Sequence, residues 1–192
     1  SAGLTFDAGV RWTQLPDLVA FADALPDLAI VLDHLGKPEV GSPEVADPAD
    51  GTPWAESLRD LARRPNVMCK LSGLPAESPG EWTEAQMRPF LDVALDAFGP
   101  DRLLFGSDWP VSGPYGRWLA TVSSWLDDRV GERHRKAVLA ENAERLYRLG
   151  SRVRGRPGAI DPSADTKLAM KPTIETMPAT HWIEPLFASS SP

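Results

Sequence analysis

The sequence predicts an α/β fold, a parallel sheet covered by helices, followed after residue 150 by an irregular segment. Three observations carry this. Short apolar runs of β-type residues recur at 3–10, 28–33, 67–71 and 103–106. Longer segments with helical spacing of apolar residues lie between and after them. The runs are nearly continuous in apolar residues, the pattern of strands buried on both faces beneath crossover helices. Four βα units follow. No Gly-rich phosphate loop is present, because Gly36-Lys37 lacks the preceding glycine and the following Ser or Thr of a P-loop.

Each helix has its own justification. Leu15, Leu18, Val19, Phe21, Ala22 and Leu25 repeat at helical spacing, and Pro16 is compatible with a first turn. Trp54, Leu58, Leu61 and Ala62 do the same, with Thr52 as N-cap before Pro53. Residues 83–98 place Met87, Phe90, Leu91, Ala94, Leu95 and Phe98 on one face and stop at Gly99-Pro100. After the last strand, 118–128 and 132–149 read as two further helices, the second carrying Val138, Leu139, Ala143, Leu146, Tyr147 and Leu149.

Composition narrows the function. Of 192 residues, 42% are hydrophobic, enough for a buried core. No run of apolar residues is long enough to span a membrane. The start, Ser1-Ala2-Gly3-Leu4-Thr5, has neither the basic nor the apolar region of a signal peptide. It has no initiating Met, which suggests processing or excision from a longer chain. A formal net charge of −7 argues against nucleic acid, whose binders need a basic face. Arg63-Arg64 and the set Arg152, Arg154 and Arg156 are not interleaved with aromatics as a single-strand groove requires. The single cysteine, Cys69, excludes a disulfide framework and cysteine-rich metal sites, and fits a cytoplasmic protein. Residues 151–192 hold six prolines and end in Ser189-Ser190-Ser191-Pro192, so they are expected to be irregular or disordered. Trp182, Ile183, Leu186 and Phe187 offer apolar groups for docking but do not make a core.

The polar residues fall at strand ends. The second run leads into Asp33-His34-Leu35-Gly36-Lys37-Pro38, the third into Lys70-Leu71-Ser72-Gly73-Leu74, the fourth into Gly106-Ser107-Asp108-Trp109-Pro110. In a parallel sheet the carboxyl ends of adjacent strands share one rim, where α/β active sites are built. His34, Lys37, Lys70, Ser72 and Asp108 therefore converge, offering a metal-ligand type, two cations for an anion or hydroxyls, and a carboxylate base. Each also has a structural alternative. His34 could be satisfied by a backbone carbonyl, Asp108 could cap the next helix, and Lys70 could point into a barrel interior or pair with a carboxylate. Ser72-Gly73 could form only a turn, and Trp109-Pro110 could serve packing. Asp33 is expected to be structural, since strand alternation points it away from His34. His134, on a charged helix, is expected at the surface, His181 in the tail is assigned no role, and Cys69 is expected to be buried and inert.

These three strand-end motifs resemble the last three of the amidohydrolase-2 family, and within it the sugar lactonases that act on L-fuconolactone and L-rhamnonolactone. The opening Gly3-Leu4-Thr5-Phe6-Asp7 resembles the preceding strand, and Glu141-Asn142-Ala143-Glu144-Arg145-Leu146-Tyr147 the final helix. The resemblance covers about residues 1–150 and implies the C-terminal half of a (β/α)8 barrel, a fold of typically about 250 residues. The His-x-His pair of the family's first strand is absent from this sequence.

The implied activity is hydrolysis of a sugar lactone or similar small lactone. It implies Asp108 as general base or water-orienting ligand, His34 as metal ligand or carbonyl-polarising group, and Lys37, Lys70, Ser72 and Trp109 as substrate contacts. It implies one divalent ion, zinc foremost, held in part by His34 and Asp108, or a metal-independent reaction. The partners implied are a small-molecule substrate and either a separate N-terminal half or a second copy. The alternatives are an inert half-barrel or assembly subunit, and a metal-dependent decarboxylase of the same superfamily.

Overall fold

The computed structural model describes residues 4–41 and 51–149 of the chain. The expectations for residues 151–192, His181 and the apolar residues near 182–187 included, lie outside the described residues. Four strands, β1 (Thr5–Ala8), β2 (Ala29–Leu32), β3 (Val67–Leu71) and β4 (Leu103–Phe105), form one sheet in the order β1-β2-β3-β4. All three pairings are parallel, in registers that set Asp7 beside Val31, Val31 beside Met68 and Lys70 beside Leu104. This is four βα units, half the strand number of a (β/α)8 barrel.

Helices α1 (Leu15–Ala24), α2 (Pro53–Ala62), α3 (Glu84–Phe98) and α4 (Tyr115–Arg129) accompany the strands. The core brings Trp54, Leu58 and Leu61 of α2, Met87 and Leu91 of α3, and Trp118, Val122 and Trp125 of α4 together with Ile30, Leu32, Cys69 and Leu71. Full burial of one such side chain is worth about 1.5–3 kcal/mol. The predicted cap of α2 and stop of α3 are present, and α3 has a cap that the sequence reading did not name. The Thr52 hydroxyl oxygen accepts from Ala55 N–H at 3.3 Å. Thr83 and Gln86 cap each other reciprocally at the start of α3. Gly99, at φ +67°, takes the left-handed backbone that ends the helix. Between helices, Arg64 clamps Asp23 of α1 and Asp60 of α2, and Arg88 of α3 reaches Asp128 of α4.

Three expectations change. Helix α4 begins at Tyr115, a turn before residue 118, because its first turn (Tyr115, Gly116, Arg117) is exposed and carries no apolar periodicity. The segment 132–149 is not one regular helix. It runs as α5 (Glu132–Lys136), a π turn (Ala137–Glu141) and α6 (Asn142–Tyr147). The wider turn re-phases the helix, and Asn142 faces inward, fully buried, its amide donating to Pro100 O at 2.9 Å and Leu103 O at 2.8 Å. The strands are not buried on both faces throughout. Phe6 and Asp7 of β1 are exposed, and β3 alternates buried with half-buried residues. Among the described residues the four strands do not close, so one face of the sheet has no opposite wall there of the kind a barrel provides. No helix among the described residues is long and apolar enough to cross a membrane.

Candidate active site

Where β2, β3 and β4 end, the chain turns sharply. After Leu32 it enters a 3-10 turn (Asp33–Gly36) in which His34 and Leu35 both have φ of 54°, and Lys37 follows at 51°. Asp108, past β4, has φ 52°. Non-glycine residues in the left-handed region cost of order 1–3 kcal/mol each and persist only where the surroundings enforce them. Two tryptophans supply much of that enforcement. The Trp54 indole N–H donates to Leu35 O at 2.8 Å, and the Trp118 N–H donates to Gly106 O at 3.0 Å and Leu71 O at 3.3 Å. Sequence periodicity placed Trp54 on an apolar helix face and Trp118 at a helix start, and carried no sign that their N–H groups hold the rim.

The turns set His34 and Asp108 face to face, with Nε2 3.9 Å from Oδ1 and both side chains about one-fifth exposed. Their rear atoms are occupied. His34 Nδ1 lies 2.8 Å from the Ser72 hydroxyl, and Asp108 Oδ2 accepts from the Ser112 hydroxyl at 2.7 Å. Both serines are buried. Ser112 was missed in the sequence; its place four residues after Asp108 is the only signal that pointed to it. Asp108 does not cap α4, whose N-cap is Pro114.

Ser72, expected as a substrate contact, sits behind the histidine with its hydroxyl engaged at Nδ1. Lys37 lies in the His34 turn, half-buried, its backbone N–H donating to His34 O at 2.7 Å. Trp109, next to Asp108 in the chain, is 67% exposed.

Lys70 joins a different cluster. Its ammonium donates to Asp33 at 2.5 Å and lies 3.5 Å from Asp7, and the Tyr147 hydroxyl donates to Asp7 at 2.5 Å. Burial, then the hydrogen bond to Asp7, pushes the Tyr147 phenol above its usual range. Asp33 lies past the end of β2, so the turn rather than strand alternation aims it. Cys69 is fully buried, as expected, and burial pushes its thiol up. His134 is half-buried rather than fully solvated.

A metal needs more than this pair. Catalytic zinc takes three protein ligands, and the described residues hold no cluster of three or more His, Cys, Asp or Glu placed for one. His34 and Asp108 would supply two of the donors such an ion needs, and the ion would acidify a water and polarise a carbonyl there.

A family model described as Amidohydrolase matches residues 1–149. An L-fucono-1,5-lactonase of Burkholderia ambifaria is 40% identical over 159 residues, 76% of this chain and 50% of the relative. An L-fucono-1,5-lactonase of Burkholderia multivorans is 39% identical, over 75% of this chain and 51% of its own. A crystal structure of an amidohydrolase from Burkholderia multivorans with bound zinc superposes with a TM-score of 0.69 at 38% identity, covering 75% of this chain and 52% of that one. The chain thus spans about half the length of the curated relatives it matches.

Proposed function

This chain belongs to the amidohydrolase family, and from that premise we propose that the protein to which it contributes hydrolyses the ester bond of a small lactone, a sugar lactone foremost. One observation carries the proposal: His34 Nε2 and Asp108 Oδ1 face each other across 3.9 Å at the carboxyl ends of parallel strands. The printed names of the relatives support the substrate class.

Hydrolysis of a lactone needs a base for the attacking water and a donor for the carbonyl oxygen as it takes on charge. Asp108 takes the proton from water as its oxygen bonds to the carbonyl carbon. His34 donates a hydrogen bond to the carbonyl oxygen. When the ring C–O bond breaks, Asp108 returns the proton to the departing alkoxide, leaving a hydroxy acid. Ser112 holds Asp108 so that Oδ1 remains available. The exposed face of Trp109 lies against the apolar face of the sugar ring, and Lys37 contacts its hydroxyls. Lys70, tied to two carboxylates, shapes the rim without holding an anion. A divalent ion, when bound, would acidify water and polarise the carbonyl, with His34 and Asp108 among its ligands.

The test is a pH-stat assay over a panel of sugar lactones, with and without added zinc, comparing the chain with Asp108→Asn. It is run on the chain alone and together with an N-terminal half taken from a relative. Turnover above spontaneous hydrolysis that Asp108→Asn lowers by about 10²–10⁴-fold is expected. Equal rates for the two in both preparations would overturn the reading.

A further inference from the structure

We propose that Ser72 is a positioning residue. Its buried hydroxyl donates to His34 Nδ1, holds the imidazole as the Nε2–H tautomer, and turns that N–H toward Asp108. The tautomer stands on geometry alone; its consequence for lactone hydrolysis rests on the reading above.

A buried hydroxyl must place its hydrogen on an acceptor. Ser72 is 1% exposed, and among the described residues its side chain has one hydrogen-bond partner, His34 Nδ1 at 2.8 Å. If Nδ1 carried the hydrogen, the serine hydrogen would be left without an acceptor, and the Nε2 lone pair would face a carboxylate. If Nε2 carries it, both groups are satisfied and a donor faces Asp108 Oδ1.

The surroundings leave the serine and the ring little freedom. Gly73, at φ +74°, lies so close to the imidazole that a Cβ there would stand 2.6 Å from His34 Cβ, Cγ and Nδ1. A Cβ on Gly106 would stand 3.1 Å from that of Ser72. Two glycines therefore let backbone press against the pair, and the hydroxyl sets which way the ring is protonated. His34 then enters the reaction as a hydrogen-bond donor to the carbonyl oxygen. A cation at Nε2 would require the opposite tautomer, with the Ser72 hydroxyl rotated to accept.

The experiment is a long-range ¹H–¹⁵N correlation spectrum of the ¹⁵N-labelled chain, recorded well above the ordinary imidazole pKa of about 6.5. The His34 signals are assigned by their loss in His34→Gln. The wild type is expected to show Nε2 protonated and Nδ1 shifted as a hydrogen-bonded acceptor. Ser72→Ala should move Nδ1 to the position of a free acceptor and release the ring toward the tautomer mixture of an untethered imidazole. Ser72→Thr, which keeps the hydroxyl, should restore the wild-type pattern, and Ser107→Ala should leave it unchanged. A wild-type spectrum with Nδ1 protonated overturns the proposal even if no variant folds. So does a Ser72→Ala spectrum identical to the wild type. In a preparation that turns over lactone, Ser72→Ala should lower kcat and leave KM. If no preparation is active, the wild-type tautomer still decides the role of Ser72, and only the lactone reading falls.

Discussion

Two polar clusters occupy the carboxyl ends of these strands, and they are built oppositely. In the first, His34 and Asp108 each give their rear atom to a buried serine and leave their front atoms facing across 3.9 Å. In the second, Lys70 is bound to Asp33 and Asp7, and Tyr147 takes Asp7 as well. Residue type does not separate them, since both hold carboxylates and a cationic or potentially cationic partner. The distinction is in what is left unpaired. In the second cluster every charge has a short-range partner; in the first the rear atoms alone are held close, and the front atoms are left facing each other.

Asp108→Asn is the largest way to sharpen this contrast. It should remove nearly all turnover, as above, while shifting the urea midpoint little, because Ser112 still finds an oxygen to bond. The reverse profile belongs to Lys70→Met. It leaves Asp33 and Asp7 together without their cation and should cost about 1–3 kcal/mol in urea unfolding, less than a fully buried pair. Adding Asp33→Asn should recover part of that loss, and a strictly additive double mutant would show that the pair is not coupled.

Tyr147→Phe should cost about 0.5–1.5 kcal/mol, the worth of one hydrogen bond. Its pH dependence has a definite sign. The folded phenol titrates above its ordinary value, so its contribution is complete below about pH 10 and falls as pH rises past that point. Wild type and variant should converge in alkaline melts; a constant difference would remove Tyr147 from the cluster.

Asp92 serves as a benchmark away from both clusters. Arg129, bonding both its oxygens, holds its carboxyl below the usual range. Asp92→Asn should cost less than Tyr147→Phe. Because the folded pKa is depressed, the difference is present above about pH 4 and disappears as pH falls through the folded value. A difference that grew on acidification would contradict the assignment.

Much of the architecture was legible before any coordinates. Apolar runs marked the four strands to within a few residues, and Thr52 and Gly99 marked helix ends, because caps and stops act within one turn of chain. Topology alone brought His34 and Asp108 to one rim. The π turn was not legible. Residues 132–149 carry helical spacing on both sides of it, and only the acceptors Pro100 O and Leu103 O, about forty residues earlier in the chain, give Asn142 a reason to turn inward. Nor could strand periodicity extend to Asp33, where the strand has already ended.

By itself, then, the sequence determined the βα alternation, the parallel sheet, the helix boundaries set by local caps, and the strand ends where chemistry belongs. Each of these follows from periodicity and from interactions a few residues apart. The tertiary structure decided which polar groups became partners. It gave Lys70 to Asp33 and Asp7, Ser72 to His34, and the indole N–H groups of Trp54 and Trp118 to the turns that carry His34 and Asp108. Apart from the Trp118 bond to Gly106, twelve residues away, these contacts join residues 19 to 63 positions apart. Their geometry depends on sheet register and on backbone φ values that composition does not encode.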